Sequence, residues 1–121
     1  MRIYIRAGYA WRLADTNQPF VAAYIHKRCM ELADYVINFE DGIFTLVKSR
    51  HDRDLKDAIA FSYGDMIEVI NKIYARDVGY DSLGARYGEM YTAGKVIATY
   101  SFTEVEEVDE LINEIMRTVK R

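Results

Sequence analysis

One cysteine, Cys29, and one proline, Pro19, are all that the chain holds of either residue, and no apolar run approaches the roughly 18 residues of a membrane helix. A lone cysteine excludes an intrachain disulfide and suits a reducing cytoplasm. The N-terminal stretch MRIYIRAGYAW alternates charged and apolar residues, so it lacks the continuous apolar core of a signal peptide. Positive charge is also short overall. The net charge of −3 argues against a general binder of nucleic acid polymers. Together these absences predict a soluble cytoplasmic protein, with neither a membrane nor a nucleic acid polymer as its partner.

What is present is globular in composition. Half of the 121 residues are hydrophobic and 29% are charged, which supports one core and is too little chain for two. Residues 1–121 therefore read as a single domain. Charge is uneven along it: Arg2, Arg6, Arg12, Lys27 and Arg28 face only Asp15 in the first 28 residues, whereas Glu104 to Glu114 is acidic. A basic surface can therefore coexist with the acidic total.

Residues 1–13 alternate as a half-buried strand, with Ile3, Ile5 and Ala7 on one side and Arg2, Tyr4 and Arg6 on the other. DTNQP at 15–19 is a turn and a helix start, in which Thr16 or Asn17 can cap and Pro19 fits the first turn. Residues 20–34 are two-valued: Val21, Tyr24, Ile25, Cys29 and Leu32 make a helical stripe, while Phe20 to His26 also alternate as a strand does. In YVINFEDGIFTLVK, two β-rich runs flank Asp41-Gly42, the dipeptide of a tight hairpin turn. Two later segments, 59–73 and 97–115, both run strand, Ser-aromatic, cap and acidic amphipathic helix. Asp65 with Glu68, and Thr103 with Glu106, have capping-box spacing. The helical stripes are Met66, Ile70, Ile73 and Tyr74, then Val105, Val108, Ile112, Ile115 and Val119. The sum is an α+β fold: an antiparallel or mixed sheet of about five to six strands, packed by two to three helices including a C-terminal one.

Catalytic and metal motifs fail when their chemistry is spelled out. Gly88 and Gly94-Lys95 resemble a phosphate loop, but five residues separate the glycines instead of four, and Val96 stands where a magnesium-binding hydroxyl is required. His51, Asp52 and Asp54 match no ligand spacing and read as a solvated, self-paired connector. His26 and Cys29 share a helix face, yet Cys29 lies on the apolar stripe as a buried structural thiol would. No metal, no cofactor and no catalytic residue is expected.

Binding needs less: a concave surface, aromatic faces and cations. Residues 76–95 hold four of the seven glycines and three of the ten tyrosines, with Arg76, Arg86 and Lys95 among them. Glycines allow close backbone approach, and bases stack on tyrosine faces. Arg86 and Lys95 are assigned to phosphate, Tyr87 and Tyr91 to stacking, and Thr92 to a hydroxyl contact. His26 and Arg28 form a second cluster suited to an anion, and Trp11 offers a further stacking face.

The segments MRIYIRAGYAWRL, TNQPFVAAYIHKRCMELADY and GKVIATYSFTEVEEVDELI resemble the small phage anti-Thoeris proteins, which act as sponges for cyclic ADP-ribose signals. The resemblance spans most of the chain in general pattern, length and tyrosine content. It implies a non-enzymatic homo-oligomer, a dimer or larger, in the cytoplasm of the host bacterium. Such a protein binds a cyclic ADP-ribose isomer between subunits, with cyclic oligonucleotides as a further ligand class in some members. Two other functions remain open on residues alone: an inhibitor or adaptor that binds a partner protein through its acidic helices, and a small hydrolase built on His51, Asp52 and Asp54.

Overall fold

The computed structural model describes residues 1–8, 10–49, 59–66, 68–70 and 96–119. The chain forms β1 (Arg2–Ala7), β2 (Ala10–Asp15), α1 (Pro19–Leu32), β3 (Tyr35–Glu40), β4 (Ile43–Ser49), β5 (Ile59–Phe61) and β6 (Val96–Ser101). Helical residues 63–66 and 68–70 follow β5 and are labelled α2. A 3₁₀ turn, Val105–Glu107, leads into α3 (Val108–Val119). This is the expected α+β fold: one six-stranded sheet in the order β5-β4-β3-β1-β2-β6, antiparallel except where β2 and β6 run parallel.

Period-two alternation from 1 to 13 hides a turn. The single strand expected there is two, with Arg6 opposite Trp11 and Ile3 opposite Ala14. Gly8 breaks the run because it takes φ 80, a left-handed conformation in which a Cβ is strained, and its N–H donates to Asp34 Oδ2 at 3.1 Å. The β3–β4 hairpin turns as Asp-Gly predicts, with φ 52 at Asp41 and φ 79 at Gly42, both positive as a type I′ turn needs. Residues 20–34 resolve as helix through Leu32, with Pro19 in the first turn.

Every expected cap is displaced. Gln18 is the N-cap of α1, without a side-chain bond, while Thr16 Oγ1 accepts the Gln18 N–H from outside the helix. Ser62 caps α2: its Oγ accepts the Asp65 N–H at 3.4 Å and donates to Asp65 Oδ2 at 3.0 Å. Asp65 is thus the third helical residue, because the hydroxyl three residues earlier reaches its N–H first. Thr103 Oγ1 donates to Glu107 Oε1 at 2.9 Å instead of engaging Glu106, since a 3₁₀ turn precedes α3 and shifts the register.

The two faces of the sheet are chemically unlike. Ile3, Ile5, Ala7, Ala14 and Val36 turn toward α1 and α3, where Val21, Ile25, Cys29, Val108, Leu111, Ile112 and Ile115 complete an aliphatic core. The other face carries Trp11, Tyr35, Ile37, Phe44 and Leu46, capped by Met66 and Ile70 of α2. Rings dominate there. Phe44 lies 4.5 Å from Phe39 and 5.9 Å from both Tyr4 and Phe61, centroid to centroid.

The basic residues of the first 28 divide between surface and core: Arg2, Lys27 and Arg28 are exposed, whereas Arg6 and Arg12 are buried. Arg6 is 1% exposed, with its guanidinium 5.7 Å over the Tyr35 ring, and Arg12 is 3% exposed on the helix-covered face. Arg12 donates to Ala7 O at 3.4 Å and its Nε lies 3.5 Å from Glu114 Oε1, tying β2 to α3. Desolvation selects these positions, since a buried guanidinium is tolerated only beside carboxylates, carbonyls or ring faces.

Two glycine substitutions separate turn from helix. Gly42→Ala meets no atom within 4 Å, so its cost is backbone strain alone, about 1 kcal/mol in urea unfolding. Gly64→Ala, in the first turn of α2 with only Ser62 Oγ at 4.0 Å, gains up to about 1 kcal/mol in the same assay. Truncation of the aliphatic core by Ile115→Ala, at a fully buried position, costs about 2–5 kcal/mol.

Candidate functional site

Parallel strands leave the sheet at the same end, and β2 and β6 do so side by side. Asp15 pairs with Ser101 at that end, and Phe102 N–H donates to Asp15 O at 2.9 Å, so the two connections begin in contact. From Asp15 the chain passes through Thr16, Asn17 and Gln18 into α1; from Ser101 it passes through Phe102 and Thr103 toward α3. Between them lies a hollow of about 240 Å³ lined by these residues.

The loop that walls this hollow is held from behind. The Met1 ammonium donates to Thr16 O at 2.9 Å, and Thr16 N–H donates back to Met1 O at 3.1 Å. Thr16 itself is 4% exposed, with Oγ1 accepting the Gln18 N–H at 3.1 Å. Around the corner a second hollow, of about 360 Å³, shares Asp15 and Asn17 and adds Met1, Arg2, Phe39, Glu40 and Asp41. Arg2 reaches it because β1 lies between β2 and β3: Arg2 is opposite Asp15 on one side and Phe39 on the other, and its guanidinium sits 5.6 Å over the Phe39 ring. The two adjoining hollows present hydroxyls, carboxamides and carboxylates, with one exposed guanidinium, the Met1 end of the chain and the rings of Phe39 and Phe102.

The helix starts beside the hollow differ. α1 has no side-chain cap and no acid in its first turn. α3 and its 3₁₀ lead carry Glu106, Glu107, Asp109 and Glu110, which satisfy the positive end of the helix dipole from within the chain.

Among the residues singled out from sequence, Arg86, Tyr87, Tyr91, Thr92 and Lys95 lie outside the described residues, as do His51, Asp52 and Asp54. Trp11 is 1% exposed, and its ring packs 6.5 Å from Tyr35 in the aromatic core, so it presents no open face for a base. His26 and Arg28 do not form a cluster. Two residues apart on α1 they point to different sides: His26 Nε2 hydrogen-bonds Asn38 Oδ1 at 2.8 Å, across to β3, whereas Arg28 is exposed. Among the described residues no group of three or more His, Cys, Asp or Glu is placed to hold a metal ion.

The hollows went unread in the sequence, although their two walls were visible as separate strand-to-helix connections. What was missing was their adjacency, which only the parallel pairing supplies. No family model, no curated protein and no solved structure matches the chain.

Cys29 is fully buried, and burial raises its thiol from the ordinary 9.0 to about 12, against the smaller opposing influence of the Arg28 and Lys48 charges. At neutral pH it is a protonated thiol, which is a poor nucleophile. Because the folded value is the higher one, the thiol's contribution to stability is complete below pH 9.0 and disappears as pH rises toward 12. The difference in unfolding free energy between wild type and Cys29→Ala is therefore constant below pH 9.0 and shrinks above it. Native protein at pH 8 reacts with a thiol reagent no faster than it opens.

Proposed function

We propose that this protein binds a cyclic nucleotide signal, a cyclic ADP-ribose isomer or a cyclic oligonucleotide, and sequesters it unchanged from an anti-phage defence system. The observation that carries the reading is the hollow at the carboxyl ends of β2 and β6, with a second beside it that shares Asp15 and Asn17 and is lined by the Arg2–Phe39 pair. In sheets with parallel strands, ligands seat outside the carboxyl ends, where helix N-termini open. The lining offers hydrogen-bond donors and acceptors suited to holding a polar ligand, and the resemblance to the sponge proteins supplies the ligand class. In this reading Arg86 and Lys95 take phosphate, Tyr87 and Tyr91 stack on bases, and the working unit is a homo-oligomer in the host bacterial cytoplasm.

A second reading has its own observation. Glu104, Glu106, Glu107, Asp109 and Glu110 are all exposed at the start of α3, an acidic patch that suits an adaptor docking on a basic partner protein.

Thermal unfolding with a panel of cyclic ADP-ribose isomers and cyclic di- and trinucleotides separates the two. A bound ligand at about 100 times its dissociation constant adds about 2.7 kcal/mol and visibly raises the midpoint. One class of ligand is expected to raise it, to be recovered intact after denaturation, and to lose the effect with Arg86→Ala. No shift with any member would instead favour the adaptor, for which charge reversal at Glu106, Glu107 and Glu110 abolishes function.

A further inference from the structure

We propose that the adjoining hollows seat the ribose of the ligand by its hydroxyl groups, leaving phosphate to be held elsewhere; this deepens the sequestration reading and rests on it for the identity of the sugar. Charge decides against phosphate. The Asp15, Glu40 and Asp41 carboxylates outnumber Arg2 and the Met1 ammonium, and that ammonium already donates to Thr16 O. A dianion entering here meets a net negative lining, whereas sugar hydroxyls meet acceptors.

The donor and acceptor pattern fits a vicinal diol. Asp15 stands at the carboxyl end of β2 and lines both hollows, and a carboxylate with two oxygens accepts two adjacent O–H groups. Dinucleotide-binding folds hold ribose hydroxyls with an acidic side chain in this manner. Thr16 supplies the opposite polarity. It is 4% exposed, it lines the 240 Å³ hollow, and its Oγ1 accepts from Gln18 N–H; among the described residues no acceptor takes its own proton. A sugar oxygen accepts that proton. Asn17, exposed and shared by both hollows, can both give and take. Stacking is not needed for such a ligand, which agrees with a lining whose two rings are already engaged: Arg2 lies over Phe39, and Phe102 is 5% exposed and stacked on Tyr100 at 5.7 Å.

Backbone amide spectra of the isotopically labelled full chain, titrated with methyl β-D-ribofuranoside and with its 2-deoxy analogue, test the assignment. Expected are shifts concentrated at Thr16, Asn17, Gln18, Ser101 and Thr103, weaker with the deoxy sugar. Asp15→Asn and Asn17→Ala each lower the riboside affinity by about fivefold or more, as loss of a hydrogen bond does. Asn17 is exposed, so its variant keeps the fold even if Asp15→Asn does not. Absence of shifts at these amides, or unchanged affinity in Asn17→Ala and a folded Asp15→Asn, overturns the assignment even if a cyclic nucleotide binds. Riboside shifts without binding by any member of the nucleotide panel keep the sugar site and remove the sequestration reading.

Discussion

The parallel pairing of β2 with β6 is the constraint from which the rest of the site follows. Two antiparallel neighbours leave a sheet at opposite ends, and their connections never meet. Here both strands run the same way, so Asp15 and Ser101 end together, and the chain must rise from both into helices on the same face. The polar hollow is the space those two departures leave. One wall is tied back to the first residue, since Met1 and Thr16 exchange hydrogen bonds in both directions.

The sheet divides its labour by face. One side is aliphatic and closed by α1 and α3, and there the Arg12–Glu114 contact fixes the C-terminal helix against β2. Removing Glu114 would take the carboxylate from a desolvated guanidinium, a larger loss than the attraction itself, whereas Glu114 is partly exposed and water can take the place of Arg12. The other side is built of rings, with Arg6 laid over Tyr35 and Arg2 over Phe39. Buried arginines near the N-terminus therefore serve the core, and only Arg2 of the β1–β2 arginines reaches the candidate site.

Local features were legible in the sequence and non-local ones were not. Asp41-Gly42 announced its hairpin because the turn's positive φ values restrict which residues fit. The α3 stripe of Val108, Ile112 and Ile115 was read correctly because amphipathic periodicity is a property of one helix. Cys29 was correctly read as buried for the same reason. The turn at Gly8 was missed, since alternation continues on both sides of a tight connection. The capping positions slipped because several Ser, Thr and Asp residues compete for the same N–H groups, and geometry chooses among them. Trp11 illustrates a harder limit: its side of the sheet depends on pairing with Arg6 and on what covers that face, neither of which is written in its neighbours.

The pairing of Leu13 with Thr99 joins segments far apart in the chain, whereas the β1–β2 and β3–β4 hairpins close within a few residues. Loop-closure entropy makes the short hairpins early events and the docking of β6 a late one. One wall of the polar hollow is thus absent until the last strand arrives. A ligand seated there grips the finished molecule and not the folding nucleus, so its stabilisation appears as slower unfolding and leaves the rate of folding almost untouched.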